Sequence, residues 1–322
     1  NIMHYIFENI LKNDMNSYIG NKDKLRTDID AVVNEYAVQN LGGLDKLSPQ
    51  DKYRFARLVK SAETLLVRLI DELTASKFKP MAFELSLSQD SEFKPLEITA
   101  EDGRKISVGG KIDRVDSYTS EDGTEYIRVV DYKTGTKEFR LQDVLYGLNL
   151  QMLVYLCAMT DDGKYLPAGV LYMPSAVPYI SASKNDSEAD IEKERNKKQV
   201  MNGLVLDSLD IAAAMEENLE GKYIPAKMNR GKTALTGSIA NKLEFELIFS
   251  HIRKLITGMA DSIINGRIMP KPHLNKSNSC NICPYTAVCL SAKDDNSIDK
   301  TSLNNSQALE IMKEGESNAD MD

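Results

Sequence analysis

The stretch GGKIDRVDSYTSEDGTEYIRVVDYKTG (residues 109–135) constrains the fold more than any other part of the chain. Two runs rich in β-branched and aromatic residues flank the turn-forming SEDGT, a pattern that predicts an antiparallel hairpin. A hairpin folded about Glu121 and Asp122 sets Asp113 opposite residue 130, 131 or 132. Residues two apart in a strand share a face, so Asp131 and Lys133 project together with Ile127 and Val129, while Tyr132 points the other way. Carboxylates opposed on one face lie about 5 Å apart at Cβ and repel each other. Such a pairing calls for a cation.

A divalent cation meets that need, because Mg²⁺ and Mn²⁺ prefer oxygen ligands and are commonly held by one or two carboxylates with water. Beside it, Lys133 could orient or deprotonate an attacking water and stabilise charge on a phosphate oxygen. Asp113, Asp131 and Lys133 are therefore candidates for metal-assisted phosphodiester hydrolysis, although an exposed hairpin with a Lys–Asp ion pair uses the same residues. Downstream, in LQMLVYL, Gln151 and Tyr155 are four apart on an otherwise apolar helical stretch. A buried amide and phenol need polar partners, which the acidic site or nearby backbone could supply.

Around the hairpin the hydrophobic period changes. Leu25, Ile29, Val32, Val33 and Tyr36, then Leu58, Leu65, Leu66, Ile70 and Leu73, recur at helical spacing and make residues 1–80 a helical region. From MAFELSLS the pattern is extended, and residues 81–175 hold the sheet together with one buried helix from about Leu141 to Met159. Residues 176–290 read as helical again, after a polar loop, and end in a cysteine motif. Helices on either side of strands predict an α/β domain, a small central mixed sheet with an extensive helical envelope. Residues 291–322 are acidic and poor in aromatics, the composition of an undocked tail.

The chain has 322 residues, 42% of them apolar, and a net charge of −8. That charge excludes broad attraction of the whole surface to polyphosphate, so DNA contacts need local cations. GKYIPAKMNRGK offers Lys222, Lys227, Arg230 and Lys232 with no acid among them, as a phosphate-facing loop or a solvated one. No apolar run is long enough to span a membrane and no secretory signal pattern opens the chain, which reads as soluble and cytoplasmic. It begins at Asn1 with helical apolar spacing already under way at Ile2, Ile6 and Ile10, as a piece of a longer polypeptide would. AKMNRGKT loosely fits a nucleotide-binding loop, but Ala226 replaces its first glycine, and Lys227, Met228 and Arg230 crowd the loop after Pro225. That match is rejected.

Three of the four cysteines form CNICPYTAVC: Cys280, Cys283 and Cys289. Their spacing is that of metal ligands, one short of a tetrahedral site that His273 could complete as Cys₃His zinc. Cys157, on the buried helix, reads as a small core residue.

GKIDRVD, VVDYKTG and LQMLVYL, in that order, resemble the nuclease motifs of the RecB-like branch of the PD-(D/E)xK superfamily, and within it the C-terminal nuclease domains of AddB-type subunits of ATP-dependent helicase–nucleases. The resemblance covers most of residues 1–290 and implies a restriction-endonuclease-like fold. It assigns metal binding to Asp113 and Asp131, catalytic assistance to Lys133, and site support or strand contact to Gln151 and Tyr155. His4, in NIMHYIFEN, matches a metal-completing histidine, and Glu84 falls where related nucleases carry a glutamate. It further implies that Cys280, Cys283 and Cys289 hold a [4Fe–4S] cluster with one far-upstream cysteine, which leaves the cluster incomplete in this piece. The implied activity is Mg²⁺- or Mn²⁺-dependent exonucleolytic cleavage of one DNA strand leaving a helicase, in a heterodimer with the companion helicase–nuclease subunit, during recombinational repair of double-strand breaks. A non-catalytic DNA-binding or subunit-interface module with a vestigial site, or a stand-alone RecB-like exonuclease, is the alternative.

Overall fold

A computed structural model describes residues 2–133, 138–181, 183, 186–267, 279–289 and 302–317. The described chain forms two compact units, residues 1–96, 108–139 and 149–246 in the first, and 97–107, 140–148 and 247–322 in the second.

The first unit opens with three helices, α1 (Ile2–Leu11), α2 (Lys22–Leu41) and α3 (Pro49–Ala75). Asn21 caps α2, whose end is set by Gly42 in the left-handed region. Ser48 caps α3 and Pro49 fills its first turn, where a missing N–H costs nothing. The inward stripe of α3, Val59, Ala62, Leu65, Leu66, Leu69 and Leu73, is buried, and so is the polar Glu72 on the same face.

Strands then follow as β1 (Lys79–Leu87), β2 (Leu96–Thr99), β3 (Lys105–Val108), β4 (Gly110–Thr119) and β5 (Glu125–Lys133). After β5 come α4 (Leu141–Leu145), α5 (Gln151–Thr160), β6 (Leu166–Pro174), α6 (Glu188–Lys198), β7 (Asn202–Leu206) and α7 (Leu209–Met215). The single helix expected over 141–159 is instead two, because Gly147 and Asn149 adopt positive φ and break the hydrogen-bonded ladder. The last elements are β8 (Ala226–Met228), β9 (Leu235–Gly237), β10 (Ile239–Ala240), α8 (Lys242–Ile264), α9 (Thr286–Cys289) and α10 (Asn305–Ser317).

Among the described residues the central sheet has six strands in the order β1-β4-β5-β6-β7-β10. It is mixed: β1, β4 and β5 are antiparallel, β5 and β6 parallel, β6 and β7 antiparallel, β7 and β10 parallel. The parallel β5–β6 step needs a crossover, and α5 lies on it with Met152, Leu153, Val154 and Leu156 buried. The hairpin pairs Arg114 with Val130 and Thr119 with Glu125, the register that the SEDGT turn predicts.

The second unit contains most of β2 and β3, α4, most of α8, α9 and α10. Over 305–317 the expected undocked tail is instead α10, with Ala308, Leu309 and Met312 buried. Its polar average composition conceals that short apolar stripe. No helix among the described residues is long and apolar enough to cross a membrane.

Candidate functional site

Strand β4 carries Asp113 between two acidic neighbours. On one side, Glu84 of β1 lies between Phe83, paired with Arg114, and Leu85, paired with Ile112, which sets it across from Asp113. On the other, the Arg114–Val130 pair makes Asp131 of β5 the next partner along. Glu84 has φ +50°, a left-handed conformation that non-glycine residues adopt at a cost and that is concentrated at functional sites.

Helix α1 brings the fourth group. Ile2, Met3, Ile6, Phe7, Ile10 and Leu11 anchor it through their buried side chains. His4 stays half-buried, its ring edge-on to Tyr132 at 5.7 Å between centroids. His4 Nδ1 lies 3.3 Å from Glu84 Oε1 and 3.3 Å from Asp113 Oδ1. Donor atoms of His4, Glu84 and Asp113 all fall within 4.8 Å of one another. The hydrogen bond to Asp113 raises the His4 pKa above its ordinary 6.5, burial opposes this, and the charges of Asp113 and Glu84 add to the rise.

Each carboxylate is also held from behind. Asp113 Oδ2 accepts the Tyr132 backbone N–H at 2.8 Å. Glu84 Oε2 is 2.7 Å from Lys111 Nζ, on a side chain that remains 62% exposed. Asp131 stands apart from the three-donor cluster: its Oδ2 is 2.7 Å from Lys133 Nζ. That ammonium also lies 5.9 Å over the Tyr172 ring. Burial, and then the Asp131 charge, push the Tyr172 phenol well above its ordinary range.

Helix α5 contributes its first turns. Gln151 is exposed and its amide donates to Tyr155 Oη at 3.3 Å, so these two partner each other. The Tyr155 hydroxyl lies against Gly110, where an added Cβ would overlap it, and a Cβ on Gly109 would overlap Leu87 O. The paired glycines before Lys111 thus admit close approach of a phenol and of β1 backbone.

The opposite face of the same strands holds a charged cluster that the hydrophobic pattern does not announce. Arg114, Asp116, Arg128 and Glu72 are buried together. Asp116 lies 2.9 Å from Arg114 Nε and 2.8 Å from Arg128 Nε, while Glu72 is 2.7 Å from Arg128 Nη2 and 3.4 Å from Arg114 Nη2. Arg114 Nη1 also donates to Tyr132 Oη at 3.2 Å. Two cations and two anions balance, as buried charges must. Burial alone would lower the Arg114 pKa, but the Asp116 charge and its other partners hold it raised. Burial pushes Tyr132 up to about 12. The signal available in the sequence was the pair of arginines and the second aspartate at mid-strand positions whose alternation points them inward.

The remaining expected residues are spread over other elements. Lys222 is in a loop whose N–H groups at residues 222, 223 and 224 all donate to the Glu216 carboxylate, just past the end of α7. Lys227 is in β8, and Arg230 and Lys232 lie in the turn of the β8–β9 hairpin, so AKMNRGKT forms a strand and a turn rather than a phosphate loop. Cys157 is buried. Cys280, Cys283 and Cys289 are not disulfide-bonded, and Thr286 Oγ1 donates to the carbonyls of Cys280 and Cys283 at 2.7 and 2.9 Å. His273 lies outside the described residues.

Two carboxylates and an imidazole converging from three elements fit a small divalent cation, and Asp131 with Lys133 occupies the adjoining strand. The family model described as "PD-(D/E)XK nuclease superfamily" matches residues 1–290. Relatives named as the B-type subunit of an ATP-dependent helicase/deoxyribonuclease include one from Thermoanaerobacter sp. (strain X514), 33% identical over 303 residues, 88% of this chain and 26% of the relative. Another, from Clostridium novyi (strain NT), is 32% identical over 270 residues, 81% of this chain and 24% of the relative. A third, from Acetivibrio thermocellus, is 35% identical over 246 residues, 73% and 21% respectively. The chain thus spans 26% or less of the length of these relatives. The matched region runs from the helix of His4, through the acidic strands, to the cysteine motif: the chain belongs to the PD-(D/E)XK nuclease superfamily, on a mixed α/β fold of the restriction-endonuclease-like kind.

Proposed function

We propose that this chain is the nuclease domain of the B-type subunit of a helicase–nuclease and hydrolyses phosphodiester bonds of one DNA strand with Mg²⁺ or Mn²⁺. The observation carrying this reading is the convergence of His4, Glu84 and Asp113 within 4.8 Å, beside an Asp131–Lys133 pair on the next strand. His4, Glu84 and Asp113 would hold the cation, with Asp131 at the adjoining position. A metal held there would supply Lewis acidity toward a phosphoryl oxygen and toward the attacking water. Lys133, kept in place by Asp131 and the Tyr172 ring, orients the attacking water and offsets the charge that grows on the phosphate. Tyr155, fixed against Gly110 and bonded to Gln151, lines the approach to β4 and supports the strand.

The wider setting rests on the names of the relatives. Membership of a helicase/deoxyribonuclease complex implies a heterodimer with the companion helicase–nuclease subunit, and a strand delivered by a helicase. Exonucleolytic trimming of broken DNA ends before recombination fits that arrangement. Lys222, Lys227, Arg230 and Lys232 are proposed strand contacts. Cys280, Cys283 and Cys289 are proposed as three ligands of a [4Fe–4S] cluster whose fourth lies elsewhere in the longer polypeptide, which is expected to work in the cytoplasm. The test is degradation of end-labelled single-stranded DNA with Mg²⁺, with Mn²⁺ and with chelator, by wild type and Asp131→Ala. Equal loss of DNA in wild type and variant would overturn the catalytic assignment. It would favour a DNA-binding or interface module.

A further inference from the structure

Lys111 takes no part in the hydrolysis proposed above, yet it is the cation nearest the candidate metal centre on β4. It lies two residues before Asp113, on the same face of the strand, and its ammonium is 2.7 Å from Glu84 Oε2. Glu8 of α1 also faces it, but that carboxylate is already 2.7 Å from Lys12 Nζ. Lys111 differs from Lys133 in exposure: its side chain is 62% exposed, that of Lys133 28%. The side chain that touches the metal-side carboxylate is therefore also open to solvent and within reach of a bound strand.

A divalent cation and an ammonium ion cannot both claim one carboxylate at full strength. If Glu84, through the Oε1 that faces His4, and Asp113 take up a metal, the carboxylate shares its charge, holds Lys111 at Oε2 less strongly, and the ammonium comes to lie near a like charge. An ammonium so placed is hydrated or meets an anion, and at a nuclease centre the anion that arrives is the phosphodiester backbone. We infer that Lys111 is a substrate-binding residue that neutralises Glu84 in the metal-free protein and transfers to a non-bridging phosphate oxygen of the bound strand when metal occupies the site. The contact orders events: metal binding loosens the hold of Glu84 on the ammonium, which then favours DNA. In the free protein the same ammonium draws on the Glu84 charge from its Oε2 side and so competes with the metal. The inference rests on the metal-centre reading.

Lys111→Met removes the charge and keeps the apolar stem, and Lys111→Arg keeps the charge. The two readouts are calorimetric titration with Mn²⁺ alone, and fluorescence anisotropy of a labelled oligothymidylate in saturating Ca²⁺, which limits turnover. For Lys111→Met, Mn²⁺ binding should tighten about three-fold, the scale of an exposed ion pair. Oligothymidylate binding should weaken, and the slope of log K against log salt should fall by about 0.7, the loss of one single-strand phosphate contact. Lys111→Arg should retain the wild-type strand affinity. Effects of opposite sign on metal and strand would not arise from a loosened fold, which weakens both. Unchanged or weaker Mn²⁺ binding, or unchanged strand binding, in Lys111→Met overturns the inference. Asp113→Asn separates the levels: if it binds Mn²⁺ as wild type does, the metal-centre reading and the inference fail together. If it loses Mn²⁺ while Lys111→Met behaves as wild type, only the inference fails.

Discussion

The backbone N–H of Tyr132 donates to Asp113 Oδ2 at 2.8 Å, so the residue between Asp131 and Lys133 fixes the carboxylate on the neighbouring strand. One oxygen of Asp113 is committed to that amide while the other faces His4. The carboxylate is thereby aimed before any cation arrives. Asp113→Asn should therefore keep the fold, since an amide oxygen can still accept from Tyr132. DNA cleavage should fall by about 100-fold or more and Mn²⁺ affinity should drop with it, as expected for a directly coordinating group whose charge stabilises the reaction. Single-turnover cleavage and calorimetric titration check the two halves.

The buried cluster of Glu72, Arg114, Asp116 and Arg128 should tolerate the loss of any one partner poorly. Asp116→Asn leaves two buried guanidiniums against one carboxylate, and the expected destabilisation is about 3–5 kcal/mol, the usual cost of removing one partner from a buried pair. The midpoint of urea unfolding measures it. Arg26→Ala, which removes exposed pairs with Asp30 and Glu63, should cost less than about 1 kcal/mol.

Tyr132→Phe tests the link from that cluster to the site. It deletes the hydroxyl that accepts from Arg114 and retains the ring against His4 and Phe7. A stability loss of about 1–3 kcal/mol is expected for a buried donor left without this acceptor. The amide bond to Asp113 is backbone and survives, so cleavage at saturating Mg²⁺ should change much less than in Asp113→Asn.

Gly110→Ala should act at the other end of β4. The added methyl group overlaps the Tyr155 hydroxyl and must displace the phenol, at a cost of about 1–3 kcal/mol. Activity should fall with it, and Tyr155→Ala in the Gly110→Ala background should recover stability but not cleavage. Thermal melts and DNA degradation of the single and double variants give the comparison.

The His4 imidazole supplies a pH dependence. In chelated protein its pKa lies above 6.5, raised by the bond to Asp113, so the stabilisation from the charged ring is full below the ordinary value and lost as pH rises through the folded one. Metal affinity should run in the opposite sense and climb over the same interval, because the cation displaces the proton. NMR titration of the His4 ring gives its pKa directly. A value below 6.5 would contradict the stated direction.

Much of the site was legible because a strand has a period of two and a hairpin turn fixes its own register. SEDGT between two β-rich runs was enough to bring Asp113 within one residue of its partner across the hairpin. His4 and Glu84 were reached only through family resemblance, since no local pattern tells that a helix near residue 4 and a strand near residue 84 meet at one carboxylate. The role of Glu72 was not legible at all: it sits in an ordinary amphipathic stripe on α3, and its partners come from β4 and β5. The break between α4 and α5 was visible in principle at Gly147 and Asn149, but continuous hydrophobicity on both sides outweighed it. In α10 the average polarity of the segment concealed three buried residues.

The two faces of β4 and β5 carry different charge patterns, acids near the edge of one and a neutral quartet of ions inside the other. Because side chains alternate, a slip of β4 by a single residue would carry Arg114 and Asp116 to the face of His4 and Glu84 and bury Asp113 among the partners of Glu72. Each misaligned arrangement strands several charges at once, so mispairing is penalised far more heavily than it would be for a strand with an apolar underside. The quartet thus works as an alignment key for the hairpin: the chain can close only in the register that delivers Asp113 to His4.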